Sequence, residues 1–259
     1  MPDREMTMAG AAVRSRQRRK KRRSGGRIVL LAFAVLIVLG GAAMLAYPAF
    51  SQWWNARDQS AVVADYAQEI GCLEDSDAEE QLRRARDYNR NLTDVVAASD
   101  PFATEGTVDT ADYNSLLWAT QDGVMAYLEI PSINARLPIY HGVGSDVLMK
   151  GVGHLPETSL PVGGESTHCV LAGHSGMTHA RLFSDLPKLE LGDEFRIHVY
   201  DQTLTYTVDQ VKPVLPTDTK DLTIVPGKDY VTMITCVPIG VNSHRLLVRG
   251  VRTAEGGTA

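Results

Sequence analysis

The sequence is poor in cysteine, with only Cys72, Cys169 and Cys236, and none of them stands in a Cys-x-x-Cys pair. It holds no His-Glu-x-x-His helix motif and no glycine-rich phosphate loop. These absences remove the recognisable dithiol, zinc and nucleotide readings, so neither a cofactor nor a metal ion is expected. Three cysteines leave at least one thiol free, and their spacing does not say whether Cys72 and Cys169 pair. No internal repeat is present. Charge is missing from one long stretch: no Lys, Arg, Asp or Glu occurs from Ile28 until Arg57.

That uncharged stretch sets the compartment. Residues 28–46 are 19 consecutive residues dominated by Ile, Val, Leu, Phe, Ala and Met, long enough to cross a hydrocarbon core as a helix. Ten Lys or Arg and two acids precede it in residues 1–27, a net of +8, while the rest of the chain has 16 bases and 29 acids, a net of −13. Tyr47, Trp53 and Trp54 follow it. Bases before the span and aromatics after it fit a cytoplasmic N-terminus and an interfacial belt. A cleaved signal peptide is the rival, kept open by Ala42 and Ala43, but the apolar run exceeds a usual signal core. Either way the acidic bulk is exported, and the basic tail is an orientation signal that leaves no role for nucleic acid.

Beyond the span, residues 53–98 read as helical. Ala61, Val62, Ala64, Ala67 and Ile70 form one loosely periodic face that Gly71 breaks, and Ala78, Leu82, Ala85, Tyr88, Asn89, Leu92 and Val96 form another. Ser76 is the expected cap of the second helix. After a polar loop and a short helix near 111–117, β-rich runs alternate with turn residues at 124–130, 135–139, 168–172, 194–200, 204–214, 230–236 and 246–251. Many short strands separated by Pro and Gly imply a closed barrel or sandwich. A helical stretch at 178–186 is expected to interrupt them.

The last two runs frame the chemistry. One ends at Cys236 and the other begins beside Arg245, with Pro238, Gly240 and Asn242 supplying turn residues between. A hairpin-like return would bring a thiol and a guanidinium together. A thiol becomes a nucleophile when ionised or served by a base. Of seven histidines, His174 is the strongest base, because Gly173 and Gly176 flank it at a strand end facing a loop. Arg245 cannot act as a base, but it can donate hydrogen bonds to a carbonyl or a developing oxyanion. Cys169, inside an apolar run, reads as a buried inert thiol.

These residues resemble the sortases of Gram-positive bacteria, most closely the class C, pilin-polymerising type. The resemblance rests on Thr235-Cys236 before a loop ending in His244-Arg245, on Leu171-Ala-Gly-His174 with Leu182-Phe-Ser-Asp-Leu186, and on GVGSDVLMKGVGHL at 142–155. Leu215-Pro-Thr-Asp218, Asp221-Leu222 and Asp100-Pro-Phe102 add to it. It runs over residues 47–252. It implies a mainly β fold, an eight-stranded sortase barrel with short helices, after a helical region and one transmembrane helix. It further implies that Cys236 attacks the Thr–Gly carbonyl of an LPXTG-like sorting signal, that His174 and Arg245 complete the catalytic set, and that a pilin lysine resolves the thioacyl enzyme. Asp100 and Phe102 match a regulatory lid, the acid pairing with Arg245 and the aromatic covering the Cys236 sulfur. The implied division is a basic cytoplasmic tail at 1–27, a transmembrane helix at 28–50 and a helical region at 51–122 with its lid around 99–110. The catalytic barrel follows at 123–252 and a short tail at 253–259.

The sequence departs from that pattern at two points. Many pilus-type relatives carry a second hydrophobic segment after the barrel, whereas only residues 253–259 follow here, so the N-terminal helix is the expected anchor in membrane lipid. Ser175 stands after His174 where many relatives have arginine. Two other readings weigh less: a wall-anchoring sortase that uses a peptidoglycan amine, and a non-enzymatic membrane-tethered β-domain. A papain-like peptidase would place its nucleophile early in the chain. The charge asymmetry predicts that protease added to intact cells degrades the barrel and spares a tag at the N-terminus; loss of that tag from sealed cells would reverse the orientation.

Overall fold

The computed structural model describes residues 5–92, 100, 102, 111–118, 120 and 123–253. The chain forms two compact units, Met1–Ser51 and Gln52–Ala259. The second unit is built on a closed barrel of eight strands, β1 (Val124–Ile130), β2 (Ala135–His141), β3 (Val152–His154), β4 (Thr167–Ala172), β5 (Glu194–Val199), β6 (Gln202–Val214), β7 (Asp229–Val237) and β8 (His244–Arg252). Around the barrel they run β1-β2-β3-β4-β7-β8-β6-β5, and β5 closes on β1. The eight-stranded sortase-type barrel implied by the sequence is the fold observed.

Most pairs are antiparallel, but β2–β3 and β4–β7 are parallel. The interior strands β4 and β7 are buried almost from end to end, which explains why their sequences read as continuous apolar runs rather than alternating ones. In β6 the inward residues Leu204, Tyr206 and Val208 are buried and the intervening threonines are not, as period-2 alternation requires. The main core is contiguous and includes Met125, Leu128, Ile139, Phe183, Phe195 and Met233.

Helix α1 (Glu5–Ile70) contains the apolar segment, is long and apolar enough to cross a membrane, and exposes its side chains there. Its C-terminal part buries Gln59, Val63 and Tyr66; of the expected face, Val62 and Ile70 are half-buried and pack on the core, while Ala61, Ala64 and Ala67 are exposed. Side-chain size decides this. The Tyr66 hydroxyl donates to the Met125 carbonyl at 3.2 Å and accepts from the Tyr200 amide at 2.9 Å, contacts that no alanine face can supply.

Helix α2 (Asp75–Asn91) buries Leu82, Ala85 and Asn89. It starts one residue before the cap expected at Ser76: Glu74 is the N-cap without a side-chain cap bond, and Asp75 and Asp77 lie in the first turn, where carboxylates complement the helix dipole. Asn89 exchanges two hydrogen bonds with the Leu160 backbone, at 2.7 and 3.1 Å. Helix α3 (Ala111–Asn114) is fixed through Tyr113, whose hydroxyl lies 2.8 Å from His154 Nδ1 and accepts from the Gly142 amide at 3.1 Å. The lid sequence thus connects two helices that are each tied to the barrel.

Two expectations are corrected. Residues 178–186 are turns rather than helix, followed only by a 3-10 turn at Leu186–Lys188. The Phe183 amide bonds back to the His174 carbonyl at 3.1 Å and Phe183 is fully buried, so core packing overrides the local helical tendency. Helix α4 (Ser145–Lys150) and β3, both within residues 142–155, carry no strong periodic signal and were not expected as elements. All three cysteines are free, Cys72 exposed and Cys169 buried.

Two histidines are buried uncharged. His154 bonds Tyr113 and the Ser159 carbonyl, and His168 lies between the Thr223 carbonyl and the Thr232 hydroxyl. Burial pushes each imidazole down to about 4, whereas an unfolded histidine titrates near ~6.5. Between those values the unfolded chain holds more protons, so this stabilisation is complete above about pH 6.5 and is lost as pH falls toward about 4. The full-length protein in detergent should show a urea midpoint that declines steadily over this window; a midpoint flat from neutral to about pH 4.5 would contradict neutral burial.

Candidate active site

β7 lies between β4 and β8, and the ends of these strands make the site. The β7–β8 register opposes Cys236 to Arg245 and Val237 to His244, and directly opposed residues share one face of a sheet. The thiol and the guanidinium are thus a cross-strand pair. On the other side, the β4–β7 register ends at Ala172 opposite Ile234, and the Gly173 amide adds one more bond to the Ile234 carbonyl at 3.1 Å. His174 follows at once.

The turn carrying His174 is held by small residues and side-chain hydrogen bonds. A Cβ on Gly173 would lie 2.6 Å from Phe183 Cδ2, so only glycine lets the backbone approach that ring. The Thr235 hydroxyl, fully buried, donates to the Gly173 carbonyl at 2.8 Å. The Ser175 hydroxyl donates to the Cys236 carbonyl at 2.6 Å. Residues on both sides of His174 are therefore bonded to residues next to, or at, Cys236. Among the described residues, the His174 ring itself has an aromatic neighbour and no hydrogen-bond partner.

Within the expected lid around 99–110, Asp100 and Phe102 are described and the other positions lie outside the described residues. Asp100 meets Arg245 in a two-pronged contact, Nε to Oδ1 at 2.9 Å and Nη2 to Oδ2 at 2.5 Å. Both side chains are about nine-tenths buried, at 11% and 10% exposed. Arg245 Nη1 donates to the carbonyls of Asn242 and His244 at 3.0 and 3.1 Å, which leaves the forked edge for a carboxylate. The Phe102 ring lies 5.7 Å from the His174 ring, at 36° to it, and 5.2 Å from the guanidinium carbon of Arg245. It also packs on a small apolar cluster that includes Leu148, Val170 and Leu247. The Phe102 ring thus lies beside two of the three expected catalytic residues, His174 and Arg245.

Burial raises the Cys236 thiol above its ordinary range; the positive charge of Arg245 opposes that and the carboxylate of Asp100 adds to it. Burial also lowers His174. In this closed arrangement the pair is a neutral thiol and a neutral imidazole at neutral pH. The hydrogen bond to Asp100 raises Arg245 further, so the guanidinium stays charged. Chemically, such a set can supply a nucleophile, a proton carrier and a fixed cation, and here Asp100 occupies the cation. A cavity of about 530 Å³ lies by Thr167, at the opposite end of β4, among Arg86, Arg90, Gly164 and Glu165. Cys169 is fully buried and its thiol is pushed well up by burial, in keeping with an inert core residue.

Ser175 and the side-chain bond of Thr235 were not legible as site features. Their partners are backbone carbonyls, and which carbonyl faces which side chain depends on the strand register.

A model of the sortase domain matches residues 128–253. Sortase D of Bacillus subtilis (strain 168) is 32% identical over 163 residues, covering 61% of this chain and 79% of that protein. Among solved structures, a sortase C of Streptococcus pneumoniae, studied for catalysis and pilin substrate specificity, superposes with a TM-score of 0.69 at 40% identity, covering 75% of this chain and 97% of that one. Sortase C-1 of Actinomyces oris superposes with a TM-score of 0.65 at 47% identity, covering 69% and 99%.

The closed contact predicts how Cys236 meets a small thiol reagent. Charge-assisted hydrogen bonds contribute about 1.5–3 kcal/mol, and a cation over an aromatic face about 0.5–1 kcal/mol. Replacing Asp100 and Phe102 together by Ala should raise the Cys236 alkylation rate about 10- to 100-fold. Loss of the carboxylate and of the cover both lower the thiol pKa, so the rate profile should also move to lower pH. Peptide mapping assigns the label; equal rates and profiles in the two proteins would remove the shielding role.

Proposed function

The chain belongs to the sortase family, as a class C cysteine transpeptidase, and from that premise we propose that it is a membrane-anchored pilin polymerase. The observation that carries the proposal is the Asp100–Arg245 contact with Phe102 beside His174. A site closed by its own acid and aromatic is suited to an enzyme that must keep its nucleophile covered until a specific protein substrate opens it. The similarity to a sortase C studied for pilin substrate specificity supports the choice of acceptor. The apolar segment of α1 serves as the anchor, with residues 1–27 in the cytoplasm and the barrel outside.

In this reading the lid moves away, Asp100 leaves Arg245, and the Cys236 thiol, easier to ionise as the carboxylate departs, passes its proton to His174, which becomes an imidazolium. The thiolate attacks the Thr–Gly carbonyl carbon of an LPXTG-like sorting signal. A carbon–sulfur bond forms, and Arg245 donates to the oxygen that gains charge. The tetrahedral species collapses by breaking the carbon–nitrogen bond, and His174 gives the leaving glycine amine its proton. A pilin lysine amine then attacks the thioester and yields its proton to His174. An isopeptide bond forms, and the sulfur leaves as thiolate. The same imidazole therefore acts as acid in the first half and base in the second, which suits a side chain that exchanges protons near neutral pH.

The test is thioacyl formation and transfer by the full-length protein in detergent, with a sorting-signal peptide and either a lysine-bearing pilin segment or a peptidoglycan stem amine. Cys236→Ala should abolish both steps, His174→Ala should lose nearly all activity, and Arg245→Ala should lose about 10²–10³-fold. Cys169 and Cys72 variants that fold should remain active. Transfer to the stem amine with none to lysine would overturn the polymerase assignment. A folded Cys169 variant unable to form the thioacyl enzyme would overturn the choice of nucleophile.

A further inference from the structure

We propose that Ser175 is a positioning residue that sets the nucleophile against the base by bonding the peptide group of Cys236; this rests on the reading of Cys236 and His174 as the reacting pair. The argument starts from strand parity. Carbonyls two residues apart on a strand point the same way. The Ile234 carbonyl faces β4 and accepts from the Gly173 amide at 3.1 Å. The Cys236 carbonyl, two residues on, faces the same side. A continuing parallel ladder would present another backbone amide there, but β4 ends at Ala172. The Ser175 hydroxyl fills the role, donating to the Cys236 carbonyl at 2.6 Å.

This bond sits where it governs geometry. Thr235 fixes the residue before His174 through the Gly173 carbonyl at 2.8 Å, and Ser175 fixes the residue after it. Together they clamp the His174 backbone to the end of β7 from both sides, while the ring has no hydrogen-bond partner among the described residues to orient it. Reactions between held groups lose rate steeply when the groups shift by a fraction of an ångström to an ångström. The hydroxyl has an electrostatic effect as well: it places the positive end of an O–H dipole on the carbonyl next to the thiol, opposing that oxygen's repulsion of a thiolate.

The experiment compares full-length wild type, Ser175→Ala and Ser175→Thr in detergent, each with the lid residues intact and with Asp100 and Phe102 changed to Ala. One arm measures kcat and KM for thioacyl formation with a sorting-signal peptide. The other measures the pH profile of Cys236 alkylation by iodoacetamide, and thermal unfolding is followed throughout. Ser175→Ala should lower kcat about tenfold, leave KM and Tm nearly unchanged and move the alkylation profile to higher pH; Ser175→Thr should restore both. If no lid-opened protein forms a thioacyl enzyme, the transpeptidase reading fails, and the alkylation profile still decides whether Ser175 acts on Cys236. Profiles and kcat equal to wild type in Ser175→Ala, or a joint loss of kcat and Tm that threonine does not restore, would overturn the positioning role.

Discussion

The site depends on β7 being paired on both sides at once. Parallel pairing with β4 brings the chain carrying His174 to one flank of Cys236, and antiparallel pairing with β8 sets Arg245 on the other. Arg245 is close to Cys236 in sequence and His174 is not, so the long-range β4–β7 pairing is what completes the set. Because side chains alternate along a strand, a one-residue slip of β8 would turn Arg245 to the opposite face. The nearly complete burial of β7 makes such a slip costly. The buried strand thus secures both the fold and the relative placement of thiol and guanidinium.

The guanidinium of Arg245 links rest and reaction. Its edge is engaged by the carbonyls of Asn242 and His244 and its fork by Asp100. In the proposed mechanism the fork must serve the substrate oxygen, so lid and substrate compete for the same donors. The competition has an electrostatic consequence. Asp100 raises the thiol and Arg245 lowers it, so exchanging a carboxylate for a neutral carbonyl makes the nucleophile easier to ionise as the substrate arrives. Phe102 adds shape to the same device, covering His174 and lying against Arg245. A covered, neutral thiol suits an enzyme that must wait for its substrate.

Much of this was legible in the sequence because strands with strong alternation or unbroken apolar runs announce themselves. Seven of the eight strands were expected near their observed positions, and the strand return expected to oppose Cys236 to Arg245 is the β7–β8 pairing. What failed did so for identifiable reasons. The short strand β3 holds only Val152, Gly153 and His154, too few residues for any period. The segment after His174 has helical composition, yet burial of Phe183 against Gly173 bends it into turns. In α1, the expected face met the core only through Val62 and Ile70, whereas the buried apolar side chains there are Val63 and Tyr66. The bond from Ser175 to the Cys236 carbonyl could not be read at all, since it exists only once the register of two distant strands is known.

The most direct test of the account is a structure of the full-length protein trapped as the thioacyl enzyme with a sorting-signal peptide. The account predicts that sulfur 236 bears the acyl group, that Arg245 donates to its carbonyl oxygen, and that Asp100 has left the guanidinium while the strand ends stay in place. An acylated Cys236 with Arg245 still held by Asp100 would contradict it, because the exchange of partners at that one side chain is what couples opening to chemistry.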